Sequence, residues 1–152
     1  MAAAKTIYDN LAFTHKVHEK QAELMAWGSK ALRLLILASL LFSLGVQLAP
    51  LIPGASSSTL TVLGVISTII GIGLSFYQLN FNYDKLLDAH REIAKELLAV
   101  KNRMIIAMDG TISKSDLEDF VNEVNPIYQR APQTGWLANA MASKNPKRPK
   151  RR

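Results

Sequence analysis

The chain contains no cysteine. Disulfides, thiolate zinc sites and a thiol nucleophile are excluded by that alone. A second absence says more. Between Arg33 and Asp84 there is no Asp, Glu, Lys or Arg. Fifty uncharged residues, 34–83, are more than the core of a 152-residue chain can hide. An apolar run beyond ~18 residues already points to a membrane span. Also missing are a glycine-rich phosphate loop and a serine in a nucleophile elbow, and the carboxylates read as ordinary helix charges. No catalytic constellation and no cofactor site follow from these residues, so an enzyme is the weakest reading.

Charge is abundant elsewhere and unevenly placed. Lys and Arg number 18 against 12 Asp and Glu, a net of +6. Six of the cations, Lys144, Lys147, Arg148, Lys150, Arg151 and Arg152, crowd the last nine residues, and without them the count is 12 against 12. The excess therefore belongs to a tail and not to a basic groove. Such a tail can contact anionic lipid at about 1 kcal/mol per cation, contact nucleic acid nonspecifically, or simply stay solvated.

Along the chain the pattern is helical throughout. Residues 4–29 lack proline, and Ile7, Leu11, Thr14, His18, Ala22 and Met25 recur three or four apart on one face. Residues 31–49 follow. Nineteen residues span roughly 29 Å as a helix, matching a hydrocarbon core of ~30 Å. Trp27, Lys30 and Arg33 stand ahead of this run as interfacial anchors. The long charged segment before it and the apolar run after it argue against a signal peptide. A turn is expected over 50–59, with Pro50, Pro53 and Gly54 breaking the helix and Ser58 or Thr59 capping the next one. The second span is 60–79, leaving through Tyr77, Phe81 and Tyr83. Every Lys and Arg lies on the two flanks and none in the turn, so the positive-inside rule places both termini in the cytoplasm.

A long helix is expected at 82–108, with Leu86, His90, Ile93, Leu97, Val100, Met104 and Met108 as a heptad-like seam and Glu92, Lys95 and Glu96 as surface neighbours. Asp109-Gly110 ends it. Ser115 and Glu118 resemble a capping box opening a helix at 115–130. Its face is Leu117, Phe120, Val121, Val124, Ile127 and Tyr128, and Pro126 should bend it. Residues 135–152 are expected to trail off as a basic tail, with a weak amphipathic patch around Trp136. The fold class is thus an all-α integral membrane protein: a transmembrane helical hairpin with long cytoplasmic N- and C-terminal helices forming a bundle.

Two sets of residues invite a function. Ser67, Gly71 and Ser75 form a small-residue row in the second span, with Gly64 and Thr68 offset from it; Ser39, Ser43 and Gln47 form a row in the first. Lipid tails are as apolar as leucine, so close backbone approach and interhelical hydrogen bonds must hold spans together, and small residues permit both. Either these rows all pack the hairpin, or one packs and the other faces a wet lumen between protomers. Two helices cannot enclose a water path, so the second reading requires a homo-oligomer. The other set is His15, His18, Glu19, Glu23 and His90. Their spacing matches no zinc signature, and half-buried helix histidines without metal are the expected outcome.

The layout and several stretches resemble the SLATT family, two-transmembrane effector domains associated with SMODS nucleotidyltransferases and SLOG sensors. The stretches are Tyr83-Asp84-Lys85-Leu86, His90-Arg91, Ala94-Lys95-Glu96-Leu97, Ile127-Tyr128 and Ala131-Pro132-Gln133-Thr134. They place a single SLATT-like domain at 1–134; the basic tail departs from the family pattern. The resemblance implies a bacterial inner-membrane effector of anti-phage defence of the abortive-infection type. Triggered by an upstream sensor, a cyclic-oligonucleotide synthase or a reverse-transcriptase system, it would oligomerise and breach the membrane. With no sensor domain fused, sensing is expected from a partner chain or from the cytoplasmic helices. A holin-like pore former and a passive membrane adaptor are the rival readings.

Overall fold

The computed structural model describes residues 2–51, 58–81, 83–110 and 112–143. Among these all regular structure is helical: α1 (Ala2–Leu48), a 3-10 turn (Ala49–Leu51), α2 (Ser58–Asn80), α3 (Tyr83–Asp109), α4 (Lys114–Arg130) and α5 (Trp136–Ser143). The chain divides into two compact units, Met1–Met25 with Lys85–Arg152, and Ala26–Asp84.

The expected segments 4–29 and 31–49 are one helix of 47 residues. Gly28 costs a helix roughly 1 kcal/mol relative to alanine but does not oblige it to stop. Most of the expected turn, residues 52–57, lies outside the described residues. Ser58 and Thr59 already belong to the first turn of α2, so neither stands ahead of it as the expected cap.

In the first unit, α3 supplies the central stripe: Leu87, His90, Ile93, Ala94, Leu97, Val100 and Met104 are buried. The expected seam is displaced at its start, where Leu87 is buried and Leu86 is exposed. The stripe is wide enough to take both Ile93 and Ala94, and at its start it takes Leu87. Met108 is half-buried. Leu11 of α1 and Val124 and Ile127 of α4 close on this stripe, with Phe120 and Ala131 packed around them. Val121 and Tyr128, expected on the same face of α4, are exposed.

The start of α4 corrects a second expectation. The cap is Ser113, whose hydroxyl accepts from the Asp116 backbone N–H, while the Asp116 carboxylate accepts from the Ser113 backbone N–H. Ser115 and Glu118 lie inside the first turns. Aspartate reaches back across three residues as glutamate does, so the box was present two residues earlier than the pattern indicated. These hydrogen bonds hold the Asp116 carboxyl below the usual aspartate range. Glu96, a surface neighbour of Glu92 and Lys95, accepts from Arg130 of α4 at 2.6 Å, and Arg103 of α3 pairs with Glu123 of α4. Exposed pairs of this kind set register more than they stabilise.

Residues 136–143 are not part of a trailing tail. They form α5, whose Ala138 and Ala142 are buried against Val17, with Phe13 and Leu24 packed alongside. The Gly135 N–H donates to Gln21 Oε1 at 3.0 Å and ties the start of α5 to α1. The alanines leave no bulk between the helix axes, which lets so short a helix dock closely.

Candidate functional site

Within the second unit, residues 26–48 of α1 lie against α2 along the small-residue rows. Gly64 and Gly71 are the buried residues of α2. A Cβ on Gly64 would lie 2.7 Å from Val46 Cγ1; one on Gly71 would lie 3.3 Å from Leu40 Cδ2 and 3.4 Å from Ser39 Cβ. The helices approach as closely as they do because these positions carry no side chain.

Hydroxyl groups complete the seam. Ser67 Oγ donates to the Ser39 carbonyl at 2.9 Å. Thr68 Oγ1 donates to the Gly64 carbonyl at 2.9 Å. Its single proton is then used, so the Ser43 hydroxyl donates to Thr68, and Gln47 Nε2 donates in turn to Ser43 Oγ at 3.3 Å. The result is a directed chain: Gln47, Ser43, Thr68, Gly64 carbonyl. Ser43 is 3% exposed and fully satisfied. Ser75 returns its proton to the Gly71 carbonyl at 2.8 Å and is half-buried. The structure thus brings Ser39, Ser43, Gly64, Ser67, Thr68 and Gly71 together, with Gln47 exposed at one end and Ser75 outside the interhelical bonds.

Away from the seam both helices present apolar side chains outward. Leu34, Leu41, Ile69 and Phe76 are all more than half exposed. Of the most apolar eighteen residues in each helix, only 6% and 11% are buried. A core helix of a water-soluble protein would be mostly covered, and these two are not.

At one end of the pair, Arg33 Nη2 donates to both carboxylate oxygens of Asp84, at 2.8 and 3.2 Å. Arg33, expected as an interfacial anchor, thus has an ion-pair partner at the far end of the uncharged stretch. Arg33 and Asp84 bracket the uncharged fifty, so a hairpin brings the two ends near each other, while the pairing itself is set by the fold. Trp27 and Lys30 are exposed nearby in sequence. The Tyr77 and Tyr83 hydroxyls are 2.9 Å apart, and Phe81 packs on both rings. The tail cations from Lys144 to Arg152 lie outside the described residues.

The first unit holds a feature that spacing did not reveal. His18 of α1 and His90 of α3, 72 residues apart, meet Nδ1 to Nδ1 at 2.9 Å, and both are buried. One ring must donate and the other accept, so the contact requires at least one neutral imidazole. His90 Nε2 is buried with no hydrogen-bond partner among the described residues. Leaving a bare lone pair there costs less than stranding an N–H, which assigns the proton of the pair to His90 Nδ1. Burial pushes His18 down to about 4, with His90 and His15 adding to the effect. Burial also lowers His90 and His15, the latter helped by Lys101. Among the described residues no three potential metal ligands cluster.

Helical in all its regular structure among the described residues, with two helices long and apolar enough to cross a bilayer and a seam of small residues between them, the chain has the make-up of the two-span class of membrane proteins. The family follows from comparison. A model of the SMODS and SLOG-associating 2TM effector domain, family 4, matches residues 2–149, and the chain belongs to that family. The match runs past residue 134, where the quoted resemblance stops, and takes in α5. No curated protein matches, and no solved structure does. The family is one of effector domains and not a known enzyme class.

Proposed function

We propose that this protein is a membrane effector of bacterial anti-phage defence, triggered by a partner sensor to assemble and permeabilise the inner membrane. In this reading α1 and α2 cross as a hairpin with both termini cytoplasmic, and the first unit receives the signal. The observation that carries it is the seam. The hydroxyls a wet path would need, those of Ser43, Ser67 and Thr68, are bonded helix to helix, Ser67 to the Ser39 carbonyl, while the outward surface is apolar. Among the described residues the resting seam therefore leaves Gln47 as its exposed polar side chain. Permeation requires the seam to open or rotate so that these hydroxyls and Gln47 line a lumen shared between protomers. Interhelical hydrogen bonds in membranes average only about 0.6 kcal/mol each. A signal that favours the open state by a few kcal/mol is then enough to exchange them. Membership of a two-transmembrane effector family supports the assignment.

The cysteine-free chain allows a direct test. A Cβ at position 71 would stand 3.4 Å from that of Ser39, close to the ~3.5–4.5 Å of a disulfide. Ser39→Cys with Gly71→Cys should lock the seam when oxidised. In dye-loaded liposomes at rising protein density, the reduced protein is expected to leak and the oxidised protein to stay tight. Equal leakage in both states overturns the opening of the seam. A parent protein that neither leaks dye nor collapses membrane potential in phage-challenged cells carrying its partner genes overturns the effector reading itself.

A further inference from the structure

We propose that the cleft at the Arg33–Asp84 end of the second unit is a binding site for a phospholipid with a primary-amine zwitterionic headgroup, of the phosphatidylethanolamine type. This rests on the reading that α1 and α2 cross the membrane. The cleft encloses about 480 Å³ and is lined by Ser29, Arg33, Gln78, Phe81, Tyr83 and Asp84 among others. That volume lies within the ~300–1,000 Å³ range of ligand pockets.

Charge selects the occupant. Arg33 and Asp84 are the charged residues of the lining, so the site is neutral as a whole but carries one group of each sign. Their ion pair engages a single guanidinium nitrogen, Nη2, and both side chains remain more than half exposed. The other guanidinium N–H groups are free to take a phosphodiester, and the carboxylate keeps lone pairs for an ammonium. The Phe81 and Tyr83 rings, with centroids 5.9 Å apart, line the same cleft, where aromatic groups favour a cation. The Ser29 hydroxyl and the Gln78 amide make no side-chain hydrogen bond among the described residues and line the same cleft, as donors open to glycerol and ester oxygens. An anionic headgroup would satisfy Arg33 and be repelled by Asp84. A choline headgroup has no N–H for the carboxylate. A phosphate joined to a primary ammonium satisfies both partners together. The cleft also stands beside the aromatic residues that end the apolar stretch, the level at which headgroups lie around a spanning protein.

The test is native mass spectrometry of the full-length protein from detergent, incubated with equal phosphatidylethanolamine and phosphatidylglycerol. The parent should retain the ethanolamine lipid several-fold over the glycerol lipid. Asp84→Asn should abolish that preference, Asp84→Glu should keep it, and Arg103→Gln, in the first unit, should leave it unchanged. The basic tail is common to all four proteins, so its attraction for anionic lipid cancels from the comparison. Circular dichroism of each variant separates lost binding from lost folding. Equal retention of the two lipids by the parent, or an undiminished preference in a folded Asp84→Asn protein, overturns the proposal. Displacement of the lipid by an equal concentration of sn-glycero-3-phosphoethanolamine would assign the site to a water-soluble ligand and overturn it as well. If the parent instead fractionates without membranes, the membrane reading has failed and not the headgroup chemistry.

Discussion

Gly64→Ala is the smallest perturbation that strains the seam. The new methyl would lie 2.7 Å from Val46 Cγ1 and 3.0 Å from Val46 Cβ. Carbon atoms prefer about 3.5–4.0 Å, so close to 1 Å must be found. Val46 cannot supply it, because a β-branched side chain in a helix has essentially one rotamer and its Cβ does not move without the backbone. The helices must separate instead. A separation of that size stretches the Ser67–Ser39 bond from 2.9 Å past hydrogen-bonding distance and breaks the Ser43–Thr68 contact beside it. Overpacking costs about 1–3 kcal/mol, and the two bonds add about 0.6 each. Alanine's helix preference returns up to about 1 kcal/mol. The net expectation is a loss of about 1–3 kcal/mol. Val46→Ala in the same chain should recover most of it, a coupling of at least 1 kcal/mol between neighbours. Dyes on Leu34→Cys and Phe76→Cys, both at exposed positions, would report separation by energy transfer as denaturing detergent is titrated. A Gly64→Ala protein as stable as the parent, or one that Val46→Ala fails to rescue, would refute the reasoning.

Two further expectations concern the first unit. The unfolded chain takes up protons near pH 6.5 that buried His18 refuses until about pH 4, so stability falls as the pH drops through that window, by roughly 3 kcal/mol at its lower end. Lys16, Lys101 and Glu19 around His15 modulate the same region. A His18→Leu, His90→Leu protein should show a much flatter profile in denaturant melts between pH 7 and 4, and equal slopes would dismiss the pair as the cause. Ala138 is fully buried against Val17, so Ala138→Leu should overpack that contact and release α5. Limited proteolysis would then cut near Trp136 in the variant but not in the parent; identical cleavage would show that α5 does not depend on this packing.

Periodicity and composition carried the helices because burial repeats on the pitch of the backbone. The seam positions from His90 to Met104 were legible in this way, as were both apolar helices and the small-residue rows. Where the pattern was locally degenerate, the reading slipped by a residue or two: Leu86 for Leu87, and the Ser115 box for the one at Ser113. A stretch with two workable registers is decided by what it packs against. The continuity of α1 through Gly28 belongs here too, since glycine permits a break without demanding one. Residues 136–143 showed in the sequence only as a weak amphipathic patch around Trp136, too short to mark a helix; packing of Ala138 and Ala142 against Val17 of α1 holds them as one.

Local chemistry along the chain therefore determined where helices form, which side chains avoid water, and that fifty consecutive residues carry no charge. Tertiary structure alone decided the partners of the polar groups. His18 meets His90, Arg33 meets Asp84, and Ser43 meets Thr68 because folding closes distances of 25 to 72 residues. The physical reason is a difference in range. Hydrophobic periodicity acts within a few residues of a single helix. A hydrogen bond needs two atoms within about 3 Å of each other, and no spacing along the sequence supplies that.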